Sequence, residues 1–65
     1  MTELQRMGYK IKDARLKKKL KQKDLAMFLG KSKSTISCYE NGKKRISIDN
    51  LKKLCNLLEL DISSI

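Results

Sequence analysis

Sixty-five residues allow one domain with a simple core, since a chain of this size buries about 60% of the surface it exposes unfolded. The composition is 40% hydrophobic and 35% charged, which suits a small globular domain and excludes a disordered chain. Sixteen Lys/Arg against seven Asp/Glu leave a net charge of +9, and the absence of His removes the side chain that titrates nearest neutral pH.

The coarse pattern is all-α, because no sustained period-2 alternation appears anywhere. Residues 1–6 read as a frayed or partly helical N-terminal lead-in, and residues 7–65 as the domain. A first helix is expected from Met7 to Lys19, with Ile11, Ala14 and Leu16 inward. A second is expected from Gln22 to Leu29, with Leu25, Ala26 and Leu29 on its inner face. Met27 and Phe28 read as a partial extension of the core. Lys21 stands at the cap of this helix, where it has no capping oxygen and puts positive charge near a positive helix end, so the first turn is expected to be loose. Gly30 stops the helix. Ser32 caps a third helix, Lys33 to Asn41, and Gly42 ends it. Ser47 caps a fourth, Ile48 to Leu58, whose first turn carries Asp49 and whose inner face is Leu51, Leu54, Cys55 and Leu58. The final "LDISSI" is expected to add one turn, with Leu60, Ile62 and Ile65 closing the core.

Charge is uneven along this layout. Residues 1–45 hold fourteen basic and four acidic side chains, a balance of +10, whereas residues 46–65 are near neutral at −1. A basic front points to a polyanionic partner. The two cysteines, Cys38 and Cys55, form no metal-ligand spacing and read as reduced thiols in a cytoplasmic protein, Cys55 in the core and Cys38 at the surface. No metal or cofactor is expected. The acids are scattered and no nucleophile–base set is visible, so the chain does not read as an enzyme. No apolar run approaches the roughly 20 residues of a membrane span, and no membrane partner is expected.

The third helix carries the most informative pattern. Stepping at about 100° per residue puts Ile36 and Tyr39 together on the core side, with Glu40 at the edge of that stripe. Lys33, Ser34, Ser37, Cys38 and Asn41 share an outward arc of about 140°. Solvated helix faces usually carry Glu, Lys and Gln, which favour helix more than Ser does. Short donors and acceptors suit a helix that must approach something closely, such as the edges of bases in the DNA major groove. Lys31, Lys43, Lys44 and Arg45 flank the arc and can reach phosphates.

These residues resemble a known family. The segment "QKDLAMFLGKSKSTISCYEN", residues 22–41, is similar to the helix-turn-helix of phage-repressor and Cro-type proteins, the XRE-like regulators, and the similarity covers residues 7–65. The marks are Gln22, Leu25 with small Ala26, Leu29, Gly30, Ile36, Tyr39 and then "ENG" at 40–42. The resemblance implies a compact four- to five-helix, lambda-repressor-like domain. It implies a sequence-specific regulator of transcription, a repressor by analogy, bound as a homodimer to an inverted repeat in double-stranded DNA. Lys33, Ser34, Ser37 and Cys38 match base-reading positions. Gln22, Ser32, Asn41, Lys43 and Arg45 match phosphate contacts, Gln22 also matches a residue that braces the recognition helix, and Arg15 and Glu40 match a buried or half-buried ion pair tying the first helix to the third. The dimer surface is expected from the 44–48 link through Leu57, Leu60 and Ile65. Two other readings remain open at this point: a DNA-binding antitoxin that also holds a protein partner (a toxin or an antirepressor), and a basic module on residues 10–23 for RNA or a membrane surface.

Overall fold

The computed structural model describes residues 1–64, with Ser64 described by its backbone alone. Four helices follow one another: α1 (Glu3–Lys17), α2 (Gln22–Leu29), α3 (Lys33–Glu40) and α4 (Ile48–Leu58), with a closing 3-10 turn at Ile62–Ser64. No strand occurs among the described residues. The globule measures 26 × 22 × 21 Å.

The first helix begins earlier than its apolar pattern suggests. Thr2 Oγ1 accepts from the Gln5 amide at 3.1 Å, and Gln5 Oε1 accepts from the Thr2 amide at 2.9 Å. This reciprocal capping box satisfies two of the orphan donors at the helix start. Residues 3–6 are therefore the first turn of α1, which starts at Glu3 rather than at Met7. The helix also ends two residues before Lys19, which adopts a left-handed φ of 59°.

Each helix closes by the same device. A residue at positive φ follows the last turn, and the next amide reaches back five residues: Leu20 to Arg15, Lys31 to Ala26, Lys43 to Cys38 and Leu60 to Cys55, at 2.8–3.1 Å. The left-handed residues are Lys19, Gly30, Gly42 and Glu59. This backbone arrangement caps the last carbonyls.

One core unites the helices. Ile11, Leu25, Ile36 and Leu54 are its most enclosed side chains, one from each helix, and Met7, Leu20, Leu57 and Leu60 pack around it. Gly8 lets α1 cross α3 closely. A Cβ there would lie 2.5 Å from the Glu40 carbonyl oxygen and nearer still to that of Tyr39. Some apolar residues depart from expectation. Leu16 is exposed, as are Met27 at 80% and Phe28 at 48%, so the outer face of α2 adds nothing to the core. The helix is only eight residues long, and Leu25, Ala26 and Leu29 already use its inward stripe. Ile62 is exposed, Leu60 packs on the core, and Ile65 lies outside the described residues.

Candidate nucleic-acid interface

α2 and α3 meet through a short turn at residues 30–32, closed by the Lys31–Ala26 bond at 2.8 Å. The first turn of α2 is not left open by Lys21. Asp24 Oδ2 accepts from the Lys21 amide at 2.7 Å, which supplies the acidic half of a capping box and places a carboxylate at the positive end of the helix.

Beneath α3 lies an ionic node. Arg15 grips Glu40 side-on: Nε donates to Oε2 at 2.6 Å and Nη2 to Oε1 at 3.1 Å. The remaining guanidinium nitrogen, Nη1, donates to the Leu20 carbonyl at 2.9 Å. Gln22 Nε2 donates to Glu40 Oε1 at 3.0 Å. Arg15 and Glu40 are 7% and 5% exposed. Among the described residues no buried side-chain nitrogen or oxygen lacks a partner, the condition under which a buried charge pair is tolerable. Three elements thus converge on one carboxylate: α1 through Arg15, the start of α2 through Gln22, and α3 through Glu40 itself. The family resemblance expects Gln22 to brace the third helix, and here it bonds Glu40; nothing in the sequence points to the Leu20 carbonyl.

With Ile36 and Tyr39 buried and Glu40 held, the opposite face of α3 turns to solvent. Lys33, Ser34 and Asn41 are exposed, while Ser37 and Cys38 are half-buried. Ser32 caps the helix: its Oγ accepts from the Thr35 amide at 3.2 Å and lies 3.0 Å from the Thr35 hydroxyl. Asn41 Nδ2 donates to Ser37 Oγ at 3.3 Å. Thr35, which the sequence pattern does not single out, is therefore part of the helix entry. Lys31, Lys43, Lys44 and Arg45 are all exposed on the two segments that bracket α3. Gln22 differs from these residues in being half-buried at the node, with one amide proton committed to Glu40.

The sequence profile of the helix-turn-helix family matches residues 11–65. The chain belongs to that family. Over 63 residues it is 36% identical to the ImmF control region 10 kDa protein of Bacillus phage phi105, an alignment covering 97% of this chain and 70% of that protein. Its fold is similar to the crystal structure of the restriction-modification controller protein C.AhdI from Aeromonas hydrophila, with a TM-score of 0.83, 28% identity, and coverage of 94% of this chain and 92% of that one.

The helix-turn-helix here is α2–turn–α3, and the protein is a DNA-binding transcriptional regulator of the XRE type. Its family and fold are those of regulators rather than of enzymes. Among the described residues no helix is long and apolar enough to cross a membrane, and no group of three His, Cys, Asp or Glu is placed to hold a metal ion. Cys38 and Cys55 are both free thiols. Burial pushes the Cys55 thiol up from its ordinary range, and the nearby Asp61 charge adds to the effect.

Proposed function

We propose that this regulator binds an inverted-repeat operator as a homodimer, with one α3 in the major groove of each half-site. The observation that carries this reading is the outward face of α3. It presents short polar side chains and one lysine, is bracketed by exposed cations, and is held from behind by the Arg15–Glu40–Gln22 node. In this arrangement Lys33, Ser34, Ser37 and Cys38 face base edges. Gln22, Ser32, Asn41, Lys43 and Arg45 lie where phosphates pass on either side. A single recognition helix reads only a few base pairs, so two-fold pairing supplies the missing selectivity and sets the half-sites about 34 Å apart. The pairing surface is the C-terminal side, where Ile48 is exposed and Leu57 and Leu60 are partly so.

Selection of bound sites from random duplex DNA tests the reading. The expected outcome is an inverted repeat, with a footprint over both halves. A non-repeated half-site protected at saturation contradicts the dimer. Salt titration adds an independent measure. About six phosphate contacts per dimer give a log–log slope near −5, and a slope flatter than about −2 rules out a phosphate-clamped dimer. An RNA competitor that displaces the operator as well as duplex DNA does overturns the reading in favour of a basic RNA module.

One observation favours a second reading. Met27 and Phe28 are adjacent, large, apolar and exposed on α2. A DNA-binding protein that also holds a protein partner, in the manner of an antitoxin or the target of an antirepressor, uses such a patch. On this reading Phe28→Lys leaves operator affinity intact and abolishes capture of the partner.

A further inference from the structure

The four helices do not begin alike. α1, α2 and α4 each carry a carboxylate in the first turn, Glu3, Asp24 and Asp49, which suits the positive end of the helix dipole. α3 has no acidic residue there, and its first residue is Lys33. A cation at that end opposes the dipole and weakens the helix in the free protein. The side chain is exposed, with no hydrogen-bond or ion-pair partner among the described residues. The helix that meets DNA is thus the one whose start is electrostatically uncompensated.

Of the other outward side chains Ser34 is exposed, while Ser37 Oγ accepts from the Asn41 side chain, and the neighbouring cap, Ser32, is engaged at the helix entry by the Thr35 amide and hydroxyl. Cys38 contributes a weak donor and is half-buried. Asn and Gln read adenine through a paired donor–acceptor contact, but the arc's amide, Asn41, sits at the far end of α3 and is tied to Ser37. Guanine instead presents two acceptors, N7 and O6, which a single ammonium can satisfy. The first residues of a groove-bound helix are those that reach base edges, and Lys33 opens α3 on the outward arc. Lys31 and the run Lys43–Arg45 lie off the helix, on the flanking segments that meet the backbone.

We infer that Lys33 reads a guanine in each half-site and is the main direct source of base selection. The inference rests on the duplex-DNA reading above and adds the base to it. Ser34 and Ser37 contribute smaller preferences, because a hydroxyl accepts either role and discriminates less.

The test is site selection from random duplex DNA with the unaltered protein, Lys33→Ala and Lys33→Gln, each checked by thermal melting for an unchanged fold. The unaltered protein is expected to enrich one guanine symmetrically in the two half-sites, preferred roughly 5- to 100-fold over other bases. Lys33→Ala loses that preference and keeps the rest of the motif, and Lys33→Gln moves it to adenine. Replacing the guanine by 7-deazaguanine, which lacks the N7 acceptor, weakens the unaltered protein and leaves Lys33→Ala indifferent. A Lys33→Ala motif identical to the original, with affinity lowered evenly across sequences, makes Lys33 a phosphate contact. It overturns the inference while leaving the duplex-DNA reading intact. Equal sensitivity of both proteins to 7-deazaguanine, or an enriched site without guanine, overturns it as well. An unaltered protein that enriches no motif removes the inference and the proposed function together.

Discussion

Arg15 and Lys18 stand three residues apart, in the last turn of α1 and at its cap, and each reaches across to a distant glutamate. Arg15 meets Glu40 in a side-on pair shielded from water, with none of its buried side-chain nitrogens and oxygens left without a partner. Lys18 meets Glu59 at the surface, beyond the end of α4. Solvent screens the second pair and leaves both partners free to part, whereas the first has no alternative partner if it is broken. The two contacts look alike as ion pairs and do different things. The buried one sets the height and tilt of α3 over α1, and hence where the outward face of α3 stands. The surface one steadies a corner remote from it.

Breaking the buried pair is expected to have the largest effect. Glu40→Ala strands the guanidinium of Arg15 and the amide of Gln22, at a cost of about 3–5 kcal/mol. A domain of this size has a total stability of about 5 kcal/mol, so the variant is largely unfolded well below the normal melting temperature. Arg15→Met with Glu40→Leu recovers most of that loss, since neither charge is then left alone. A thermal-melt double-mutant cycle reads the coupling, and additivity within about 0.5 kcal/mol means the pair does not hold α3.

Next comes the close crossing beside the same pair. Gly8→Ala drives a Cβ into the backbone carbonyls of Tyr39 and Glu40, which cannot swing aside as a side chain would. About 1–3 kcal/mol of destabilisation is expected from the forced separation of α1 and α3. A melting temperature equal to or above the original shows that the two helices slide apart freely.

The surface pair sharpens the contrast from the other side. Lys18→Ala is expected to move the melting temperature by only a few degrees, at most about 4–8 °C. Its signature lies in the titration of Glu59. The hydrogen bond from Lys18, and then its charge, hold that carboxyl below the ordinary glutamate value. The folded state therefore gains from the pair above the ordinary glutamate range and loses that gain as pH falls through the depressed value. In Lys18→Ala the NMR-detected midpoint of Glu59 rises towards the ordinary value. An unmoved midpoint places the cause elsewhere.

Local signals carried much of this structure. The bounds of α2 and α4 follow from apolar spacing, with Gly30 marking the stop of the first and Ser47 the start of the second. The start of α1 was also written locally, as Thr2 and Gln5, but apolar periodicity begins only near Met7 and conceals it. Asp24 as a partial cap for Lys21 has the same character. Other features depend on neighbours distant in the chain. The exposure of Met27 and Phe28 follows from no helix lying over that face of α2. The bond from Arg15 to the Leu20 carbonyl follows from the angle at which the helices meet, whereas the bracing role of Gln22 is expected from the family resemblance. For the candidate interface, a helix wheel was enough to sort α3 into inner and outer faces. It did not show which outer side chains bond to one another, the Ser32–Thr35 and Ser37–Asn41 pairs.

Gly42 has a practical corollary. Its Cα faces the first turn of α1 so closely that a Cβ would lie 2.7 Å from the backbone nitrogen, Cα and Cγ of Gln5. The amino end of the chain thus emerges beside Asn41 and Lys43. Anything fused before Met1 is delivered to the flank of α3: on the proposed function, an acidic affinity tag sets carboxylates among the cations expected to face phosphate, and a fluorophore becomes a proximity sensor for the double helix. The choice of which end to label decides whether a binding assay reports on the protein or on the tag.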